Sequence, residues 1–167
     1  MYYFYFDASA LVKRYTKETG SEHINFIFSN FPMNCMMCSI MCVAELYWIF
    51  VRKKNDGRIN EDDFSQASIN LESEILDSHS EFHIIPIQDS LILRSMPMIQ
   101  TYSVNSVDAI LLRSAVDITR PIWNTGNRLV LVSSDRRLNR AATSEGILVF
   151  NPETNSQQDL TDWITVI

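Results

Sequence analysis

Three short runs in this chain, "YYFYF" at 2–6, "LVLV" at 129–132 and "ILVF" at 147–150, are apolar or aromatic at every position. A strand with one wet face alternates polar and apolar residues. A run that does not alternate is buried on both faces, and such strands belong to parallel sheets covered by helices on each side. The segments between the runs carry helical signals. Asp7-Ala8-Ser9 ends the first strand and caps a helix over 9–17, and a second helix follows over 21–29. A strand over 35–40 leads into a helix over 41–54, stopped near Asn55-Asp56-Gly57. Asn60 to Asp63 opens a helix with acids in its first turn, where the dipole favours them, and Phe64, Ile69, Leu71 and Ile75 give it an apolar face. A strand over 82–87, helices over 89–100, 106–116 and 136–145, and the two aliphatic strands complete the order. Pro97 predicts a kink or a break in its helix.

Strands alternating with helices predict an α/β fold: a single three-layer α/β/α domain with a mostly parallel central sheet and helices on both faces. Its 167 residues suit one core. The domain is expected over 1–152, followed by a C-terminal tail over 153–167 whose Trp163, Ile164 and Val166 are placed to dock on a partner or on the body. No apolar stretch is long enough to span a bilayer, and the start of the chain lacks the features of a secretory signal, so no membrane and a cytoplasmic setting are expected. Cys35, Cys38 and Cys42, an odd number in one apolar stretch, read as buried reduced thiols rather than a disulfide framework.

Against this apolar background four carboxylates stand out. Asp7 ends the first strand, and Asp135 follows "LVLVSS" at the end of another. Glu45 is the only charge between Phe31 and Val51, on a stripe with Trp48 and Ile49; Asp108 is the only charge between Ser95 and Leu112. Each has an ordinary explanation: Asp7, Asp108 and Asp135 as helix caps, Glu45 as the partner of Arg52 or another cation. Taken together they say more. In open α/β sheets the carboxyl ends of the strands share one edge, where ligands bind. Carboxylates gathered there repel and raise one another's pKa unless a cation sits among them, and hard divalent ions such as Mg²⁺ or Mn²⁺ suit oxygen ligands.

"YFDASALVKRY", the "AEL" of Glu45, "SVDAILL" with Asp108 and "LVSSDRRLNRAATSEGILVFNP" together resemble the PIN-domain nucleases, most closely the toxins of bacterial VapBC-type toxin–antitoxin pairs. The resemblance runs from Tyr3 to Pro152. It implies a Mg²⁺- or Mn²⁺-dependent ribonuclease with Asp7, Glu45, Asp108 and Asp135 as the acidic, metal-binding set. Ser9 and Ser134 match small hydroxyl residues that support the ligands. It also implies an RNA substrate, an antitoxin partner and a homodimer. The interval from Asp108 to Asp135 is longer than usual because of "DITRPIWNTGNR", which predicts a displaced last strand or a less direct role for Asp135, with Asp117 as a substitute or a surface acid.

A net charge of −6 argues against gripping nucleic acid by overall charge, so local cations must do it: Lys13, Arg14, Arg136 and Arg137 are the candidates near the acids. Ile24, Phe26, Ile27 and Phe28 are offered either to the core or to a partner. Two other classes stay open. A non-catalytic module could keep the scaffold and bind RNA or protein. A phosphatase with an aspartyl nucleophile would also begin with a strand ending in Asp, but it wants a second Asp where Ser9 stands.

Overall fold

The computed structural model describes residues 1–165. Five strands form one sheet, β1 (Tyr2–Phe6), β2 (Met36–Ser39), β3 (His83–Ile85), β4 (Arg128–Val132) and β5 (Leu148–Phe150), in the order β3-β2-β1-β4-β5. Every pairing is parallel, as strands without alternation require. The chain builds outward from β1 in one direction through β2 and β3, then crosses back to β4 and β5. The topological switch point therefore lies between β1 and β4.

Eight helices cover the two faces: α1 (Ala8–Tyr15), α2 (Ser21–Asn30), α3 (Ile40–Asn55), α4 (Glu61–Leu71), α5 (Asp89–Tyr102), α6 (Ser106–Asn124), α7 (Arg136–Ser144) and α8 (Gln157–Thr165). Alternate residues of β1 feed two cores. Phe4 and Phe6 pack with Leu11, Ile27, Leu46 and Phe50 from α1, α2 and α3, and with Leu160 of α8. Tyr5 points the other way, among Leu112 and Ala115 of α6 and Leu138 of α7, and its hydroxyl donates to Ser114 Oγ at 3.0 Å. A fully buried side chain of the Phe or Leu class contributes about 2 kcal/mol, so this double-sided burial is what holds the sheet between the helix layers.

Local signals explain most boundaries. Asn60 and Asp63 form a reciprocal capping box at the start of α4. Gly20, with φ of +87°, begins α2 where a Cβ would lie 2.4 Å from the Pro152 carbonyl oxygen, so only glycine lets the two segments meet. His23 Nδ1 lies 2.8 Å from the same oxygen.

Two expectations are corrected, and two open alternatives are resolved. Pro97 does not interrupt α5: the carbonyl it deprives of a partner belongs to Leu93, whose side chain lies on the solvent side. The residues "DITRPIWN" continue α6 by two turns instead of displacing the next strand, and β4 stays in register with β1 from Tyr2↔Arg128 to Phe6↔Val132. Asp117 sits in that helix paired with Arg113 and Arg94, a surface acid. Ile24 and Ile27 are fully buried and Phe26 and Phe28 pack on the core, so α2 presents no free apolar face built from them. Beyond residue 152, Trp163 stacks on Tyr2 with ring centres 5.1 Å apart and also meets Phe4 and Phe150. Val166 lies outside the described residues. Cys35, Cys38 and Cys42 are buried free thiols.

Candidate active site

Three strand ends and three helix starts meet at the carboxyl edge of the sheet around β1 and β4. The parallel ladder runs one residue past each strand, with Asp7 N donating to Val132 O at 3.0 Å and Ser133 N donating to Phe150 O at 3.1 Å. Asp7 and Ser133 are thereby set side by side at the switch point. Asp7 caps α1 through Ser9 N and is 7% exposed. Its Oδ2 accepts from Ser9 Oγ at 2.5 Å and from Ser133 Oγ at 3.2 Å. Ser133 Oγ in turn accepts from Asp135 N at 3.0 Å, and Ser9 Oγ accepts from Ser134 N at 2.9 Å. The serine that supports Asp7 from β4 is therefore Ser133. Ser134 contributes its backbone amide, because side chains leaving a strand alternate in direction.

Glu45 lies one and a half turns into α3, partly buried, and its carboxylate makes no hydrogen bond or ion pair among the described residues. The sequence pairing with Arg52 is not made: Arg52 lies over the Trp48 ring, 4.4 Å from its centre. Trp48 itself is 57% exposed, so the stripe it shares with Glu45 is a surface stripe and not core. Asp108 stands in the first turn of α6, where Asn105 donates to its Oδ2 at 2.8 Å and accepts from its backbone amide. Asp135 is exposed and caps α7, its Oδ1 accepting from Arg137 N and Leu138 N at 2.7 and 2.9 Å.

The electrostatics join these groups. Burial pushes the Asp7 carboxyl above the ordinary range, with the bonds from Ser9 and Ser133 pulling the other way. Burial, then the charges of Asp7 and Asp108, raises Glu45 to about 7. Burial, then Asp7 and Asp135, raises Asp108 to about 6, against a lowering pull from Arg137. Asp7, Glu45, Asp108 and Asp135 thus share one field, with Arg137 the cation that opposes it. They are within electrostatic range but not gathered: among the described residues, no three His, Cys, Asp or Glu side chains converge as a ready coordination sphere. The Cys42 thiol lies behind them; its hydrogen bond with Cys38, burial and the charges of Asp7 and Glu45 raise it well above its usual value, which leaves it inert.

The candidate cations divide. Lys13 is 3% exposed and bound to Glu153 at 2.7 Å and Glu18 at 3.3 Å. Arg14 forks onto Glu74, with Nε 3.1 Å from one oxygen, and also reaches Asn25. Both are spent on protein carboxylates. Arg136 and Arg137 are exposed beside Asp135, and Arg137 reaches Ser103 O at 3.4 Å in the turn before α6.

No family model matches the chain, and no curated protein matches its sequence. Solved structures do match. FitAcB from Neisseria gonorrhoeae superposes with a TM-score of 0.63 at 15% identity, covering 91% of this chain and 99% of the other. A toxin–antitoxin complex from Klebsiella pneumoniae gives 0.55 at 19% identity, covering 89% and 96%. VapBC2 from Rickettsia felis, bound to a DNA fragment from the promoter, gives 0.53 at 14% identity, covering 90% and 98%. What these chains share with this one is the fold. The likeness extends over nearly the whole of each matched chain, and the three-layer architecture read from the sequence is the one observed.

Proposed function

We propose that this protein is a Mg²⁺- or Mn²⁺-dependent endoribonuclease and the toxin of a toxin–antitoxin pair. The observation that carries the reading is Glu45: a partly buried carboxylate with no partner among the described residues, raised to about 7 by burial and then by the charges of Asp7 and Asp108. A chain that needed these acids only for structure would have matched them with cations, as it does elsewhere. The donor set is all carboxylate oxygen, backed by hydroxyls, which fits a hard divalent ion and not a soft one. Asp7, Glu45 and Asp108 would hold the ion, with side-chain rotation of Glu45 and Asp108 toward the fixed Asp7, and Asp135 would supply its free Oδ2. Bound there, such an ion lowers the pKa of water and stabilises charge developing on a phosphodiester.

The chain's own residues have distinct tasks in this scheme. Ser9 and Ser133 fix the rotamer of Asp7, so one ligand is preorganised. Glu45, besides holding the ion, would orient the attacking water. Arg137, on the rim, offsets anionic charge beside the scissile phosphate. The toxin reading is supported by the fold shared with a structure described as a toxin–antitoxin complex. Its antitoxin would cover the acidic edge, and a second copy of this chain would cover Ile92, Leu93, Met96 and Ile99, exposed on α5.

One observation favours a second reading: without a converged set of ligands the scaffold can be a binding module without hydrolysis. Incubating the protein with single-stranded RNA, with and without Mn²⁺, separates the two. The nuclease cuts only with the ion, and Asp7→Asn cuts under neither condition while remaining folded. Ion-independent binding with no cleavage by the unaltered protein would leave the binding module.

A further inference from the structure

The chain has 14 Lys and Arg residues. Among the described residues all but four are engaged, by a carboxylate, an aromatic ring or a carbonyl. The four are Lys17, Arg120, Arg136 and Arg140. The last two lie four residues apart on one face of α7 and line the same cleft, of about 460 Å³, with Asn139, Val149, Asn151 and Thr154. This cleft is at the carboxyl edge of β5, beside the acidic hollow at β1 and β4.

Three features of the pair are unfavourable for the free protein. Like charges four residues apart on a helix repel. Arg136 stands in the first turn of α7, where the helix dipole disfavours a cation. And Glu153, an acid that feels the charge of Arg136, is already held by Lys13. In a chain with 20 carboxylates, two adjacent arginines left without a partner call for an anion from outside. The cleft is also tied mechanically to the hollow: Asn139, which lines it, donates from Nδ2 to Ser133 O at 2.8 Å, and Ser133 supports Asp7.

We infer that the α7–β5 cleft is a phosphate subsite for the RNA strand, with Arg136 and Arg140 holding a backbone phosphate beside the one at the acidic hollow. This rests on the nuclease reading for the identity of the strand. The distance fits: β1 and β5 are two strand spacings apart, about 10 Å, within reach of the next phosphate or the one after it. The strand would then run across the sheet edge from the hollow toward β5, and not toward β2. Asn139, Asn151 and Thr154 offer hydrogen-bonding groups of neutral charge, so the subsite reads phosphate and sugar rather than base sequence.

The test uses the full chain carrying Asp7→Asn, to prevent hydrolysis, and a labelled single-stranded RNA of mixed sequence titrated over a range of salt. Each phosphate contact contributes about 0.7 to the slope of log affinity against log salt for a single strand. Arg136→Gln with Arg140→Gln is expected to lower the slope by about 0.7, the share of the one phosphate they hold, and to weaken binding about tenfold at low salt, with each single variant giving about half the slope change. Both side chains are exposed and repel one another, so the thermal midpoint is expected to hold or rise; Arg120→Gln serves as the charge-matched control for each single variant and leaves the slope unchanged. A slope unaltered by the double variant, or altered equally by Arg120→Gln, overturns the subsite. Failure of the nuclease reading looks different: the unaltered protein then cuts no RNA with Mn²⁺, while the slope still reports whether the cleft holds phosphate. Absence of any RNA binding overturns both.

Discussion

Two groups of buried charge lie within a few residues of each other along α1, and they are built on opposite plans. In one, Lys13 and Lys53, both almost fully buried, share Glu18; Lys13 also binds Glu153, and Lys53 donates to Thr16 Oγ1 at 2.6 Å. Cations and acids alternate, and the cluster ties α1, α3 and the turn after β5 together. In the other, Asp7, Glu45, Asp108 and Asp135 share one field around the switch point without converging, and Arg137 is the cation that opposes it. The first is compensated internally. In the second, hydroxyls and amides serve Asp7, Asp108 and Asp135, Glu45 receives none among the described residues, and the field stays open. Charge that a fold uses for its own cohesion is matched within the fold; unmatched charge at a ligand-binding edge is held for something that arrives later.

The contrast can be broken most severely at Asp7. Asp7→Asn is expected to reduce ion-dependent RNA hydrolysis by about 10³-fold, a loss of about 4 kcal/mol in transition-state stabilisation. Asn can still cap α1, so thermal unfolding should show a midpoint equal to or above that of the unaltered protein. Equal activity in the variant would mean that the acids do not form a reaction centre. Lys13→Met should do the reverse: it leaves Glu18 and Glu153 without their shared partner and costs about 2 kcal/mol in denaturant unfolding, with RNA affinity per folded molecule preserved.

A subtler test uses pH. Glu45 at about 7 and Asp108 at about 6 lie above their ordinary values of 4.5 and 3.8, so the folded state keeps protons that the unfolded chain has released. Their contribution to stability is full below about pH 4 and is lost as pH rises to about 7. Without divalent ion, the midpoint should therefore fall over that window, and Glu45→Gln should flatten the curve and stabilise the protein by about 2 kcal/mol at pH 7.5. Added Mn²⁺ should raise the midpoint more at pH 7.5 than at pH 5.5, because protons compete for the same oxygens. The smallest effect is expected from Arg137→Gln, which removes the opposing cation and should move the pH of half-maximal Mn²⁺ binding upward by a few tenths, read by titration calorimetry at several pH values.

How far the sequence carries can be judged residue by residue. The strands at 2–6 and 129–132 are legible because burial on both faces leaves no alternation, and Asp7 and Asp135 are placed by the strand ends they follow. Ser133 was also within reach: aligning "YFYFD" with "LVLVS" in parallel register sets Asp7 beside Ser133, whereas reading back from Asp135 selects Ser134. Other features depend on contacts that no local pattern records. Lys13 looks like a free basic residue until Glu153, 140 positions away, closes on it. Trp48 looks like core until the direction of α3 is known. The end of α6, expected at 116, lies at Asn124, and Pro121 stands inside the helix without stopping it.

The two additional turns of α6 have a practical consequence. The helix starts at the edge that carries Asp108 and must deliver the chain to the start of β4 at the other edge, so added length projects from the far side of the sheet. Asn124 to Gly126 is thus a tether point remote from the acids, where a fluorophore or an affinity handle can be grafted without obstructing the reacting edge.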